Sequence, residues 1–552
     1  MRNLRLLDLL RRDRGAIENH LIDGLVDGRI GRREFLRHGS VLGLSLPLLG
    51  QIGFAAGLSF TPSLARAEGA PGATIKVACS TPTGAIDPVT VPDVGGLVMI
   101  SQTGEFLCMD GQDLVLRPML AESWSSDEKG LVWTFKLRRG VKFHSGAEMT
   151  ADDVVASIDR LANPKNPSNA LSVFAGVLSK GGTRKVDDHT VAFHLDAQNG
   201  NFPYLVSSDN YNAIILPAYA GDFEMDFVGT GPFKLETYTP KVGATFVRNE
   251  EYWGEKALPA RTEFVFFDDV QPQIIALQAG EVDVVNQLPV LASVSLMTNP
   301  DVAMLSIKSA THYQVHMRTD VEPFKDPRVR RAVVLAIDRQ KLVKGLRRGL
   351  ATLGNDSPFA PVYPSTDASV PQRAQDLSHA KELLAAAGWK TGTKVTLTTQ
   401  RFQDIPEYAE LIQNAVKEIG IEMDLNIIDS AAYYGDAVYG KSQWLDSPMG
   451  ITDYGHRGVP NVYLTAPLKS DGTWNSAHFK NKSYDQLVAG YIGALDPDAQ
   501  KAEAGKIQKL LLEETPVIFG YFLDYLGATR KDVSGVSLTA MGQIFLDRAS
   551  KG

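Results

Sequence analysis

From residue 74 onward the chain alternates between two spacings of apolar residues. Short stretches of period two fit half-buried strands, and stripes of period 3.6 fit helices with one face on a core. TIKVACS reads as a first strand. In VWTFKL, Trp133, Phe135 and Leu137 fall opposite Val132, Thr134 and Lys136, which predicts a strand after a turn at 127–130. Thr150 with Asp153 resembles a capping box, and Val154, Val155, Ile158 and Leu161 then share one helical face. DDHTVAFHLD predicts a hairpin strand and NFPYLVSSD a further helix. GTGPFKLETYTPKVGATFVRNEEYWG predicts two strands around a polar turn at 240–243, and EFVFFDD, QPQIIALQAG and EVDVVNQL predict a β-α-β unit. A second series starts at Thr311: strand HYQVHMR, helix PRVRRAVVLAIDRQKLVKGL, loop SPFAPVYP, helix SHAKELLAAAGW, then KVTLTTQ, EYAELIQNAVKEIG and IEMDLNIID. This alternation predicts an α/β fold with helices covering a mixed or parallel sheet.

One stretch invites a different reading. GDAVYGKS, Gly435 to Ser442, fits the phosphate-loop pattern G-x-x-x-x-G-K-[ST]. A phosphate loop has to follow a strand and open a helix at its lysine, whereas here Ser430 is placed to cap a helix AAYYGDAVYGKSQ, with Gly440 and Lys441 at its C-terminal end. The acidic strand FVFFDD also precedes the motif instead of following it. No nucleotide site is therefore expected. His144, Glu148 and Asp152 suggest metal ligands, but Gly146 and the cap at Thr150 put the first two ahead of the helix, where no common face is fixed. His189 and His194 fall on opposite faces of a strand. No metal or other cofactor is expected, and the chain contains neither a G-x-S-x-G elbow nor an H-E-x-x-H motif.

Residues 1–67 differ from the rest. GRREFLRHGS contains Arg32 and Arg33 followed by Phe35 and Leu36, then a run from His38 to Ala65 without Lys, Arg, Asp or Glu, then Ala65-Arg66-Ala67. This resembles a twin-arginine export signal cleaved after Ala67, and it predicts a periplasmic protein. No lipobox cysteine ends the apolar run. The two cysteines, Cys79 and Cys108, either pair in an oxidising compartment or remain buried thiols. At 44% hydrophobic and 22% charged residues the 552-residue chain is neither disordered nor polytopic, and its length calls for more than one lobe. The chain has 56 Lys and Arg against 64 Asp and Glu; ten of the former and six of the latter lie in the first 67 residues, leaving the remainder at −12. That balance argues against nucleic acid as a partner. The basic runs RVRRAV (Arg328 to Val333) and LRRG (Leu346 to Gly349) are read as solvated helix faces.

The order LAESW, FKLRRGVKFHSG, TADDVVASIDR, GTGPFKL, YWG, LQAGEVDVV, PFKDPRVRRAVVLAIDR, AKELLAAAGW, spread over residues 74–552, resembles the large solute-binding proteins of peptide, nickel and opine ABC importers, solute-binding family 5. The resemblance implies an α/β, two-lobed periplasmic binding protein fold with an extra subdomain in lobe one, three subdomains in all. It implies lobe one over 68–305 with the insert at about 121–222, lobe two over 306–511, and a return to lobe one over 512–552, with crossings near 299–311 and 500–516. It further implies a monomer that performs no chemistry, closes over a peptide or opine-type solute and hands it to a membrane permease with its ATPase subunits.

Site residues follow from the same resemblance. Relatives that bind dipeptides grip the ligand amine with an aspartate and its carboxylate with an arginine, each after a strand of lobe two. Asp453 in MGITDYGHRG and Arg401 in TTQRFQDIP stand at the corresponding places. HRGVPN replaces the acidic run of those relatives, and its His456 and Arg457 suit a more anionic solute. Tyr313, Trp444 and Tyr454 are candidates to line the cleft, and Thr83 and Glu105 are the candidates from lobe one.

Overall fold

The computed structural model describes residues 15–27, 29 and 72–552, except 85, 92, 167, 220–227 and 391. The chain divides into two units, Met1–Glu68 and Gly69–Gly552. In the first, Ala16–Val26 is a helix. The twin-arginine stretch, the apolar run and the cleavage site lie outside the described residues. No described helix is long and apolar enough to cross a membrane.

The second unit is built on two mixed sheets. The first orders its strands Val302–Ile307, Tyr525–Arg530, Val284–Val285, Thr74–Ser80, Arg261–Phe267, Gly243–Arg248, Phe233–Thr239. Thr74–Ser80 runs parallel to both Arg261–Phe267 and Val284–Val285 and lies between them, and helix Val270–Ala279 is the crossover that joins those two strands of the β-α-β unit. The second sheet orders Ala351–Leu353, Val517–Leu523, His312–Met317, Met449–Tyr454, Lys394–Gln400, Glu422–Ile428. An antiparallel four-stranded sheet inserted in the first lobe pairs Ala121–Ser126, Val132–Leu137, Thr190–His194 and Thr183–Asp187. Its inward face, alternating as the pattern predicts, packs Phe135 and Phe193 on Phe202, with ring centroids 6.4 and 5.0 Å from the last. These rings belong to the same apolar core as Val77 and Phe264 of the first sheet. The second sheet has a separate core around Val315, Leu397, Tyr408 and Ile518.

The chain passes between the two sheets twice. The first passage is residues 308–311, between strands Val302–Ile307 and His312–Met317. The second is a single residue, Asp524, between strands Val517–Leu523 and Tyr525–Arg530. Residues 500–516 were expected to cross; most of them form helix Pro497–Glu514, and Val517–Leu523 still pairs with His312–Met317, so the second sheet keeps the chain up to Leu523. Asp524 ties the two passages together. Its carboxylate accepts from Ser306 Oγ at 2.7 Å and from Lys308 Nζ at 2.9 and 3.1 Å.

Two further expectations change, and the open choice for the cysteines closes. The helix through GDAVYGKS stops at Tyr434, because Gly435 and Ala437 both take positive φ, near 54°. A Cβ on Gly435 would lie 2.2 Å from the Lys441 carbonyl oxygen, so the chain can double back only through glycine. A short helix, Gln443–Asp446, does begin just after Lys441. The amides that a phosphate would need are already used: Gly440 and Ser442 N–H donate to the Asp446 carboxylate at 2.9 and 3.1 Å. Cys79 and Cys108 are buried free thiols and form no disulfide.

The basic runs are only partly solvated. Arg330 is 3% exposed and donates to the carbonyls of Phe324 and Glu514, satisfying the carbonyl end of helix Pro497–Glu514. In LRRG, Arg347 is 6% exposed and faces the cleft between the sheets.

Candidate functional site

Parallel strands place their carboxyl ends on one edge of a sheet, and the second sheet uses this edge to face the first. Lys394–Gln400 runs parallel to Met449–Tyr454, so Gln400 and Asp453 emerge side by side. His312–Met317 runs antiparallel to the latter strand and sets Tyr313 opposite Asp453. The cleft holds a cavity of about 660 Å³. Tyr313, Arg347, Gln403, Asp404, Asp453 and Arg457 line it from the second sheet's side, and Ser80, Gln273, Gln287, Leu288 and Met541 line it from the first.

Asp453 is held from one side. Its Oδ1 accepts from Gln400 Nε2 at 2.5 Å and from Tyr434 Oη at 2.7 Å. Ser430 Oγ donates to Gln400 Oε1 at 2.7 Å, which fixes the amide so that its NH2 points at the aspartate. No hydrogen bond of the described residues reaches Oδ2, and the residue is half-buried. The free oxygen is an acceptor for a cationic or N–H group entering the cavity. Desolvation and the adjoining Asp453 charge both push the Tyr434 hydroxyl far above its ordinary pKa, so it remains a donor.

Arg347 and Asp404 form a buried ion pair at 2.7 Å. Tyr313 Oη lies 2.7 Å from the other Asp404 oxygen and 2.9 Å from Gln403 Oε1. Arg347 Nε is buried without an acceptor. Gln403 sits at φ 46°, in the left-handed region, a strained conformation at the cavity wall. Arg457 donates Nη1 to the His456 carbonyl at 2.8 Å, and its Nε is also buried without an acceptor. The Ala310 N–H donates to His456 Nδ1 at 3.0 Å. That bond leaves the ring proton on Nε2, and burial lowers the pKa to about 3, so His456 is a neutral donor.

The sequence candidates therefore separate. Asp453, Tyr454, Arg457 and Tyr313 come together on the cavity wall. Tyr454 is 8% exposed and stacks on His312, with centroids 5.3 Å apart. Trp444 is buried behind the wall, edge-on to Tyr434 at 5.3 Å, and so supports the group that holds Asp453. Arg401 is exposed just past its strand and is not among the residues lining the cavity. Thr83 donates its N–H and its hydroxyl to Asp93, the cap of helix Val94–Thr103, at 2.9 and 2.6 Å.

Glu105 is fully buried and accepts from Thr230, Tyr252 and Trp253 at 2.7, 2.6 and 2.8 Å, away from the cavity. Arg347, Gln400, Gln403 and Asp404 are not singled out from sequence. TTQ and LRRG carry no motif, and only the strand-end position of Gln400 could have marked it.

Comparison with known proteins gives this geometry a family. The model for "Bacterial extracellular solute-binding proteins, family 5 Middle" matches residues 115–476, more than half of the chain. The chain belongs to that family. It is 26% identical over 503 residues to the glutathione-binding protein GsiB of Salmonella choleraesuis, covering 88% of this chain and 95% of that one. Di/tripeptide-binding protein 2 of Pseudomonas aeruginosa is 26% identical over 457 residues, 77% of this chain and 84% of that one. The structure of HbpA2 from Haemophilus parasuis superposes with a TM-score of 0.77 at 23% identity, over 87% of this chain and all of that one. The two sheets and their double crossing are thus the two-lobed fold of periplasmic binding proteins.

Proposed function

We propose that this chain is the extracytoplasmic receptor of an ABC importer and captures a peptide-like solute between its lobes for delivery to the permease and its ATPase subunits. The observation that carries the reading is the one-sided aspartate. Asp453 offers one unclaimed oxygen, an acceptor, to a cavity whose charged donors are Arg347 and Arg457. An ammonium would pair with Asp453, and a carboxylate or a row of carbonyls with the guanidinium groups.

Tyr313 and Tyr454 shape the wall in this reading, while Arg401, Thr83, Trp444 and Glu105 take no part in contact. Closure follows from differential affinity, because a solute that touches both walls stabilises the closed form. The N-terminal twin arginines support export by the twin-arginine route to the periplasm, the acidic balance beyond residue 67 speaks against nucleic acid partners, and the receptor acts as a monomer.

The test is a thermal-shift screen of the purified protein against di- to pentapeptides, opines and nickel chelates. A ligand at 100 times its Kd adds about 2.7 kcal/mol, enough for a clear rise in Tm. Stabilisation by peptides or opines is expected, and a flat response to every class would sink the proposal.

A further inference from the structure

A second cavity, of about 760 Å³, adjoins the first. The inserted subdomain walls it with Val173, Val177 and Tyr211, and the second lobe with Val459, Val462 and Ile492. The two sides are stitched together. Gly200 N–H donates to the Ile492 carbonyl, Gln198 Nε2 to the Gly493 carbonyl and Asn201 Nδ2 to Asn461 Oδ1, each at 2.8 Å. The Asp209 carboxylate also accepts from Gly458 N–H. A Cβ on Gly458 would lie 2.7 Å from Asp209 Cγ, so a side chain here would push the Asp209 carboxyl aside.

Arg457 and Met541 line both cavities and form the sill between them. The Arg457 guanidinium therefore stands where a chain passing from one cavity to the other would go by. A carbonyl of a passing chain would accept from an N–H of this charged donor.

We propose that the second cavity is a side-group chamber: the polar part of the solute occupies the cleft, its chain crosses the sill with a carbonyl on the Arg457 guanidinium, and an apolar extension seats among Val173, Val462 and Ile492. The solute is then a peptide-like molecule longer than a dipeptide, or a short one carrying an apolar substituent. This inference rests on the receptor reading above. The walls point to an aliphatic or aromatic group, because their valines and isoleucine offer it apolar contact that water does not. Seating one leucine side chain there tightens binding on the order of tenfold.

The experiment is calorimetry on the purified protein with Ala-Ala, Ala-Ala-Leu and Ala-Ala-Leu-Leu. The expected result is a Kd that falls at least tenfold from the first peptide to the last. Val462→Trp, which fills the chamber from the second lobe, removes that gain and leaves the affinity for Ala-Ala unchanged. Val173→Trp repeats the test from the opposite wall should the first variant fail to fold. If the wild type binds all three peptides with equal affinity, or if the gain with length survives both variants, the chamber is not a subsite although the peptide reading stands. If none of the three binds, the peptide reading itself fails and the chamber proposal fails with it.

Discussion

Two carboxylates, one in each lobe, show what separates a structural strut from a receptor. Glu105 of the first lobe and Asp453 of the second both come from sequence positions that invite a ligand-binding reading, and both are surrounded by aromatic donors. Glu105 spends both oxygens: Tyr252 holds Oε1, and Thr230 and Trp253 hold Oε2. Asp453 spends only Oδ1, on Gln400 and Tyr434. A carboxylate saturated on both sides has no capacity left for a solute and instead fixes the loops that reach it. One saturated from behind is oriented, and its other oxygen faces the cavity. Residue type and nearby aromatic groups do not separate these cases; the number of oxygens already engaged does.

The largest effect should follow from removing the strut. Glu105→Ala leaves three buried donors, on Thr230, Tyr252 and Trp253, without their acceptor, and should cost about 3–5 kcal/mol of stability. Urea denaturation would read it, and a loss below 1 kcal/mol would show that the loops do not depend on the carboxylate. The same residue carries a pH signature. Burial raises its pKa from 4.5 to about 7, against the opposing pull of its three donors. The folded state then binds more protons than the unfolded state between these values. The Glu105 contribution is therefore fully present below pH 4.5 and is lost as pH rises through 7, by about 3 kcal/mol in all. Glu105→Gln cannot titrate, so the stability difference between wild type and this variant should change over that window. A pH-independent difference would contradict the assignment.

Asp453→Asn tests the other half of the comparison. The amide keeps the shape and can still bond to Tyr434, so stability should change by less than about 1 kcal/mol. Affinity for a solute that carries an ammonium group should fall at least tenfold, about 1.4 kcal/mol, as calorimetry would measure. Equal affinities for the two proteins would mean that the free oxygen is not what reads the solute.

How far the sequence reveals this site follows from the physics of each residue. Asp453, near the end of its strand, is legible only through the family resemblance, and Tyr313, near the start of its own, through the local pattern of HYQVHMR; both stand at the sheet edge where ligands meet α/β folds. The strand Val132–Leu137 and the start of helix Ala151–Leu161 are legible for the same local reason: their signals lie within one turn or one pleat. The end of the helix at Tyr434 is not, because Gly435 serves a contact with Lys441 six residues on that no helical period records. Buried arginines escape most completely. Arg330 looks like surface charge in RVRRAV, yet it meets carbonyls of a helix end some 180 residues later in the chain, and this requirement is set by tertiary structure alone.

The smallest expected effect discriminates between two arginines. The family resemblance makes Arg401 the expected reader of a carboxylate, whereas Arg347, from a stretch that reads as solvated, sits in the cavity beside Asp404. A guanidinium reads a carboxylate only if it is held near it out of bulk water, since an exposed pair contributes at most about 1 kcal/mol. Arg401 is exposed and fixed only through its backbone N–H, 2.8 Å from the Ile428 carbonyl. Arg401→Ala should accordingly change solute affinity by less than about twofold. Arg347→Lys retains the charge but loses the planar fork, and should weaken binding several-fold while keeping the pair with Asp404. If Arg401→Ala proves the more damaging of the two, the chain must close further than its cavity walls indicate, bringing Arg401 over the solute as a lid.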